Sequence, residues 1–106
     1  MTGSLAGKTF IVTGASRGIG LAAAKSIGRR GGRVALFGRD QKALDLAVSE
    51  VGNGAIPVAV DIQSREALLA AIESAVSALG GLDGIVNNAG LSLASKIEEL
   101  RPAGWC

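Results

Sequence analysis

The sequence predicts an α/β fold in which a parallel sheet carries helices on both faces. Short runs of apolar and β-branched residues alternate with longer segments that have the apolar spacing of helices. Glycine-rich or polar turns separate these segments, and no linker or low-complexity tract interrupts the alternation. Strands that alternate with helices favour parallel pairing through right-handed crossovers, which brings helices onto both faces of one sheet.

The first predicted strand covers residues 9–13, an almost continuous apolar and β-branched run that is typical of a strand buried on both faces. A helix is expected over residues 18–30, with Ile19, Ala23 and Ile27 on its inner face. A pair of glycines then provides its stop signal.

The second predicted strand covers residues 33–37. Asp40 is a suitable N-cap for the next helix, because its short carboxylate accepts hydrogen bonds from the unpaired N–H groups of a first turn. Leu44, Val48 and Val51 follow at helical spacing and form the predicted inner face.

The third strand is expected over residues 56–60, and Pro57 is tolerable there because it lies near the start. Ser64 caps the following helix. The predicted inner face of that helix comprises Leu68, Ile72, Val76 and Leu79. The fourth strand covers residues 84–87, after which the pattern weakens to one short helical piece at residues 95–100.

A glycine loop, Gly14-Ala15-Ser16-Arg17-Gly18-Ile19-Gly20, joins the first strand to the first helix. Ligands of open parallel sheets bind at the carboxyl ends of the strands, and this loop lies there. Gly14 permits a sharp turn, Gly18 lets the backbone approach a pyrophosphate, and Gly20 lets the helix pack closely on the sheet. The helix N-terminus offers unpaired N–H groups to phosphates. The loop therefore predicts a nucleotide site.

Two motifs together resemble the short-chain dehydrogenase/reductase family: Gly14-x-x-x-Gly18-x-Gly20 after Thr13, and Asn87-Asn88-Ala89-Gly90 after the fourth strand. The resemblance extends from about Leu5 to about Trp105. It implies a doubly wound Rossmann sheet of strand order 3-2-1-4. It also implies hydride transfer between a nicotinamide dinucleotide and a small carbonyl or alcohol substrate, in a complete protein that forms a homo-oligomer.

The end of the second strand favours NADP(H) over NAD as the cofactor. NAD is selected there by a carboxylate on the ribose, and NADP by a cation on the 2′-phosphate. By the family's register, Gly38 takes the position of the acid and Arg39 follows it, while Arg17 resembles a second basic position of NADP-preferring members. The rival interpretation makes Asp40 the ribose acid, but Asp40 also fits a helix N-cap and lies two residues too far on.

The resemblance assigns further residues to the cofactor. Asp61 and the backbone N–H of Ile62 would bind the adenine, although an Asp at a strand end is also common in plain turns. Ala89 and Gly90 would let the chain pass close to the cofactor, and the asparagines would tie neighbouring strands. The predicted cofactor-binding residues are Gly14, Ser16, Arg17, Gly18, Ile19, Gly20, Arg39, Asp61, Ile62, Asn87, Ala89 and Gly90.

The family's catalytic residues are not carried over, because the sequence holds no tyrosine and therefore no Tyr-x-x-x-Lys. We interpret residues 1–106 as a partial nucleotide-binding domain that is truncated after the fourth strand. The alternative is a short mature protein that binds a nucleotide or a partner without catalysis. These residues alone are expected to be inactive, because the tyrosine is missing. They are also expected to be marginally stable as a monomer, since the fourth strand is an unprotected apolar edge.

Composition argues against several other functions. The net charge is only +2 and aromatic residues make up 3%, which is poor material for nucleic-acid binding. One cysteine, Cys106, and no histidine leave no internal disulfide and no metal cluster. We find no signal peptide and no apolar run of membrane-spanning length, so we expect a cytoplasmic protein without membrane contact.

Overall fold

A computed structural model of the chain describes residues 4–15, 18–61 and 63–86. The elements are β1 (Thr9–Thr13), α1 (Gly18–Arg29), β2 (Arg33–Gly38), α2 (Gln41–Val51), β3 (Ile56–Ala59), α3 (Arg65–Leu79) and β4 (Gly84–Val86). The predicted alternation is confirmed, and the predicted bounds of β1, α1, β2 and β3 agree to within one residue. Residue 87 of the predicted fourth strand and the helical piece at residues 95–100 lie outside the described residues.

The four strands form one parallel sheet in the order β3-β2-β1-β4. Ile11 of β1 stands between Ala35 of β2 and Ile85 of β4. The chain proceeds from β1 outward to β3, crosses back through α3, and adds β4 on the other side of β1. The doubly wound Rossmann-type topology is therefore confirmed, and its switch point lies between β1 and β4.

The central strands are buried on both faces, as their continuous apolar runs predict. Side chains of a strand point alternately to its two faces. Ile11 and Phe37 accordingly belong to the core beneath α3, whereas Val12 and Leu36 belong to the core beneath α1 and α2. All four side chains are at most 1% exposed. The sheet thus has one hydrophobic core on each side.

The predicted inner face of α1 is wrong at Ile19, whose side chain is 78% exposed. Ile27 of the predicted face is confirmed as buried, and Ala23 is half-buried. The other buried residues are Gly20 and Ala24, each one position after a predicted one. Small residues let α1 lie close to the sheet but give a weak hydrophobic signal. The larger Ile19 was therefore selected in place of its neighbour Gly20, which lies about 100° further round the helix.

The other two helices also bury alanines that the apolar spacing did not select. In α2 the buried residues are Leu44 and Ala47. Val48 and Val51 of the predicted face are half-buried and pack at the margin of that core. In α3 the predicted face is largely confirmed. Its buried residues are Leu68, Ala71, Ile72, Ala75 and Leu79, and Val76 is half-buried against them.

Both predicted N-caps are confirmed. One carboxylate oxygen of Asp40 accepts from the backbone N–H groups of Lys42 at 3.0 Å and Ala43 at 3.3 Å. The Ser64 hydroxyl accepts from the N–H of Ala67 at 3.3 Å. These bonds satisfy N–H groups that a first turn leaves without intrahelical partners, so α2 and α3 begin at defined residues just after β2 and β3. No helix in the described ranges is long and apolar enough to cross a membrane.

Candidate functional site

The carboxyl ends of the strands are fastened to one another before the loops begin. The N–H of Ala15 donates to the carbonyl of Phe37 at 3.3 Å, and the N–H of Val60 donates to the carbonyl of Gly38 at 2.7 Å. The Thr13 hydroxyl reaches the carbonyl of Val86 at 3.5 Å across the switch point. Residues that follow β1, β2 and β3 therefore extend from one fixed edge of the sheet, which we call the carboxyl edge.

Gly14 and Gly18 have backbone conformations that favour glycine, with φ of +60° and +63°. Between them, Ala15 is fully buried, whereas Gly14 and Gly18 are exposed. A Cβ on Gly18 would meet no atom of the described chain within 4 Å. Backbone conformation alone therefore calls for glycine here, and the open space lets a bound group approach the main chain.

The start of α1 is suited to a negatively charged group. Its first turn contains no acidic residue, so no carboxylate competes for the N–H groups and the positive end of the helix dipole. Gly20 is buried, whereas Ile19 beside it is largely exposed. A phosphate with an adjoining apolar group would thus meet both N–H donors and an apolar side chain at this turn.

Gly38 is glycine because of packing. A Cβ at this position would lie 3.1 Å from Cδ2 of Leu44, a fully buried side chain of α2. Such a distance is shorter than ordinary van der Waals contact, so Leu44 would have to move before residue 38 could carry any side chain. A ribose-binding acid at this position would therefore require Leu44 to shift by a few tenths of an ångström.

Arg39 and Asp40 follow directly, and both are exposed. Asp40 uses one carboxylate oxygen to cap α2, which supports its interpretation as an N-cap over its interpretation as the ribose acid. Arg39 lies between Gly38 and this cap, at the carboxyl end of β2. It is the first charged side chain after the strand.

Asp61 is exposed at the same edge. Its Oδ1 accepts from the N–H of Gln63 at 3.0 Å, and its carbonyl accepts from the N–H of Ser64 at 3.0 Å. These bonds make a turn that leads into α3. The turn interpretation of Asp61 thus describes the structure, and binding of adenine by the same residue stays a prediction.

Of the twelve predicted site residues, six lie outside the described residues: Ser16, Arg17, Ile62, Asn87, Ala89 and Gly90. The other six follow the carboxyl ends of β1, β2 or β3: Gly14, Gly18, Ile19, Gly20, Arg39 and Asp61. No group of three or more metal-ligating side chains occurs within the described ranges.

Asp83 was missed by the sequence analysis. Its Oδ2 accepts from the N–H of Thr9 at 2.8 Å and from the Thr9 hydroxyl at 3.2 Å. Its own N–H donates to the carbonyl of Thr9 at 2.8 Å. Asp83 thereby fixes β4 to β1 at the opposite edge, below the switch point. No periodicity marks this pair, because the two residues are 74 positions apart.

Comparison with known proteins gives a consistent result. The sequence profile of the short chain dehydrogenase family matches residues 8–106. The chain is 40% identical to "Hydroxysteroid dehydrogenase-like protein 2" of Xenopus laevis over 108 aligned residues, which cover 92% of this chain and 26% of that protein. The chain thus spans about a quarter of the length of this relative.

Two solved structures are also similar to this chain. A dehydrogenase/reductase from Sinorhizobium meliloti is 46% identical, with a TM-score of 0.78 over 83% of this chain and 36% of that one. The 3-ketoacyl-(acyl-carrier-protein) reductase from Brucella melitensis, complexed with NADH, is 39% identical, with the same TM-score and the same two coverages.

Proposed function

This chain belongs to the short-chain dehydrogenase family, and we propose that it forms the nucleotide-binding half of an oxidoreductase that uses NADP(H). The reaction is hydride transfer between the nicotinamide and a small carbonyl or alcohol substrate. When bound, the cofactor supplies or accepts the hydride. The residues of this chain bind and orient that cofactor.

The observation that carries the proposal is the geometry around Gly18. Positive φ at Gly14 and Gly18, open space beside Gly18, and the acid-free start of α1 together form a cradle for a pyrophosphate. The cradle lies at the carboxyl edge, beside the switch point where doubly wound sheets bind nucleotides. Gly20 and Ile19 extend it along α1, and Ser16 and Arg17 belong to the same loop in the sequence.

The preference for NADP(H) rests on Gly38 and Arg39. The Brucella reductase, with 39% identity, is complexed with NADH, so family membership alone does not choose the cofactor. In this chain the packing of Leu44 against Gly38 disfavours a side chain at the position of a ribose-binding acid, and the exposed Arg39 is available to a 2′-phosphate. Arg suits a phosphate because its planar guanidinium can donate two hydrogen bonds at once.

We assign the remaining residues by their places in the fold and sequence. Asp61 and Ile62 follow β3 and would bind the adenine, with Asp61 Oδ1 already engaged in its turn. Asn87, Ala89 and Gly90 follow β4 and would complete the far side of the cofactor. Tyrosine is absent from the sequence, so proton transfer by the family's tyrosine is not a function of these residues.

Cofactor titration tests the proposal directly. Isothermal calorimetry should show tighter binding of NADPH than of NADH. Arg39→Gln should weaken NADPH about tenfold and leave NADH within about twofold, since a charge-assisted hydrogen bond contributes about 1.5–3 kcal/mol. Arg29→Gln removes an equal charge from the last turn of α1, at the other edge, and should leave the ratio unchanged. Equal affinities of the unmodified chain for both cofactors would rule out the assignment.

A second candidate is a nucleotide- or partner-binding protein without catalysis, and the observation that favours it is the lack of tyrosine in the sequence. The two candidates differ in what the gene encodes next. An open frame downstream of the Cys106 codon that contains Tyr-x-x-x-Lys supports the oxidoreductase. A stop codon there, confirmed in the transcript, supports the binding protein.

A further inference from the structure

A groove of about 550 Å³ lies at the amino edge of the sheet, the edge opposite the proposed cofactor site. Its walls come from the segments just before β1, β2 and β3 and from the end of α3. This volume falls within the range of small-molecule sites, about 300–1,000 Å³. Cofactor binding at the carboxyl edge makes no use of it.

The groove is lined by two cations and by no carboxylate. Lys8 is exposed, and within the described part of the chain its ammonium group has no hydrogen-bond or ion-pair partner. Arg33 is held in place, because its Nε and Nη2 donate to the carbonyl of Gly54 at 3.3 and 3.1 Å. A guanidinium carries five N–H donors, so donors remain for a ligand.

The surroundings of the groove carry charges of both signs. Asp83 places a carboxylate beside Thr9 of the groove lining, and its Oδ2 accepts two hydrogen bonds from Thr9. The carbonyl ends of α1 and α3 each carry a partial negative charge. Arg29 offsets that of α1, whereas the last turn of α3 has no basic residue. Leu79 gives the groove an apolar wall. A cationic rim beside an apolar wall fits an anion with a small organic body.

We propose that this groove binds a small oxyanion, a phosphate or carboxylate group, between Lys8 and Arg33. The Lys8 ammonium would supply a mobile charge and the Arg33 guanidinium a fixed one. The site is separate from the cofactor cradle and does not depend on the proposed reaction.

Chemical footprinting of the whole chain tests the proposal at low protein concentration. Acetylation of lysines by acetic anhydride is followed by mass spectrometry at constant ionic strength, with inorganic phosphate added from zero to about 50 mM. Phosphate should slow modification of Lys8 at least about threefold, with saturation. Lys25, on α1 and outside both the groove lining and the proposed cofactor residues, is the internal reference and should change by less than about 1.3-fold. Acetate in place of phosphate separates a carboxylate site from a phosphate site.

Variants make the result decisive. Arg33→Lys keeps a charge but loses the bonds to Gly54, and should raise the phosphate concentration that half-protects Lys8 about fivefold. Arg39→Lys changes an arginine at the carboxyl edge and should leave that concentration unchanged. Absence of saturable protection by both anions would overturn the proposal. Equal protection of Lys8 and Lys25 would also overturn it, because general charge screening would then explain the effect.

Discussion

The amino and carboxyl edges of the sheet use their polar groups differently. At the amino edge, Asp83 bonds to Thr9 and Arg33 bonds to the carbonyl of Gly54, so side chains hold strands and turns to each other. At the carboxyl edge, Arg39 is exposed beyond the end of its strand and Gly18 leaves open space beside its backbone. The amino edge thus has side-chain bonds that join strands and turns, and the carboxyl edge has the groups that we propose to bind the cofactor. Substitutions at the two edges should accordingly separate stability from binding.

The largest expected effect is on binding, at Gly18. Gly18→Ala introduces a Cβ into the space where we place a pyrophosphate, and should weaken NADPH about a hundredfold, or roughly 2.7 kcal/mol. A positive φ also makes alanine less stable there by about 1–2 kcal/mol.

The control for Gly18 is Gly80→Ala. Gly80 has φ +83° and also open space around a Cβ, but it ends α3 at the amino edge. Calorimetry and urea unfolding of both variants should show similar losses of stability, with NADPH affinity reduced only in Gly18→Ala. Similar affinities in the two variants would place the phosphates elsewhere.

The next largest effect is on stability, at Asp83. Asp83→Ala leaves the N–H of Thr9, a residue only 8% exposed, without its acceptor, and should lower the free energy of unfolding by about 2 kcal/mol. Urea melts measure this loss. Asp45→Ala is the matched control, since exposed Asp45 bonds only within α2 to Gln41 and should cost at most about 0.5 kcal/mol.

Asp83→Ala also sharpens the comparison of the edges. Well below the unfolding transition, its affinity for NADPH should stay within about twofold of the unmodified chain. A large loss of affinity in a folded variant would show that the hydrogen bonds between Asp83 and Thr9 at the amino edge affect the geometry of the cofactor site.

The smallest expected effect concerns Gly38, where the core reaches the carboxyl edge. Gly38→Ala places a Cβ 3.1 Å from Leu44 and should destabilise the chain by about 1 kcal/mol. In the background of Leu44→Val, which frees space, the same change should cost about 0.5 kcal/mol less. A double-mutant cycle in urea measures this coupling. Additive effects of the two substitutions would mean that contact with Leu44 is not what disfavours a side chain at position 38.

Strands were predictable here because each is a short apolar run with a clear stop, and the caps because Asp40 and Ser64 have local partners. The inner face of α1 was not, because Gly20 and Ala24 bury little apolar surface and Ile19 dominates the pattern. Small residues signal close approach only once the neighbouring element is known.

The site shows the same division. The positive φ of Gly14 and Gly18 follows from local chemistry, since glycine is the residue that adopts it readily. The packing of Gly38 against Leu44 and the bond between Asp83 and Thr9 depend on which elements meet, which the local pattern does not encode. The sequence analysis therefore located the carboxyl edge. It missed the packing of Leu44 against Gly38 there and the bond between Asp83 and Thr9 at the opposite edge.

The pairing of β1 with β4 has a consequence for the order of folding. Ile11 pairs with Ala35, 35 − 11 = 24 residues away, and with Ile85, 85 − 11 = 74 residues away. Closing the longer loop costs about 1 kcal/mol more in chain entropy, so contacts between β1 and β2 can form before those between β1 and β4. The crevice between β1 and β4 is then among the last features to assemble. A nucleotide that binds there stabilises the finished sheet and gives no help to the early, partly folded chain.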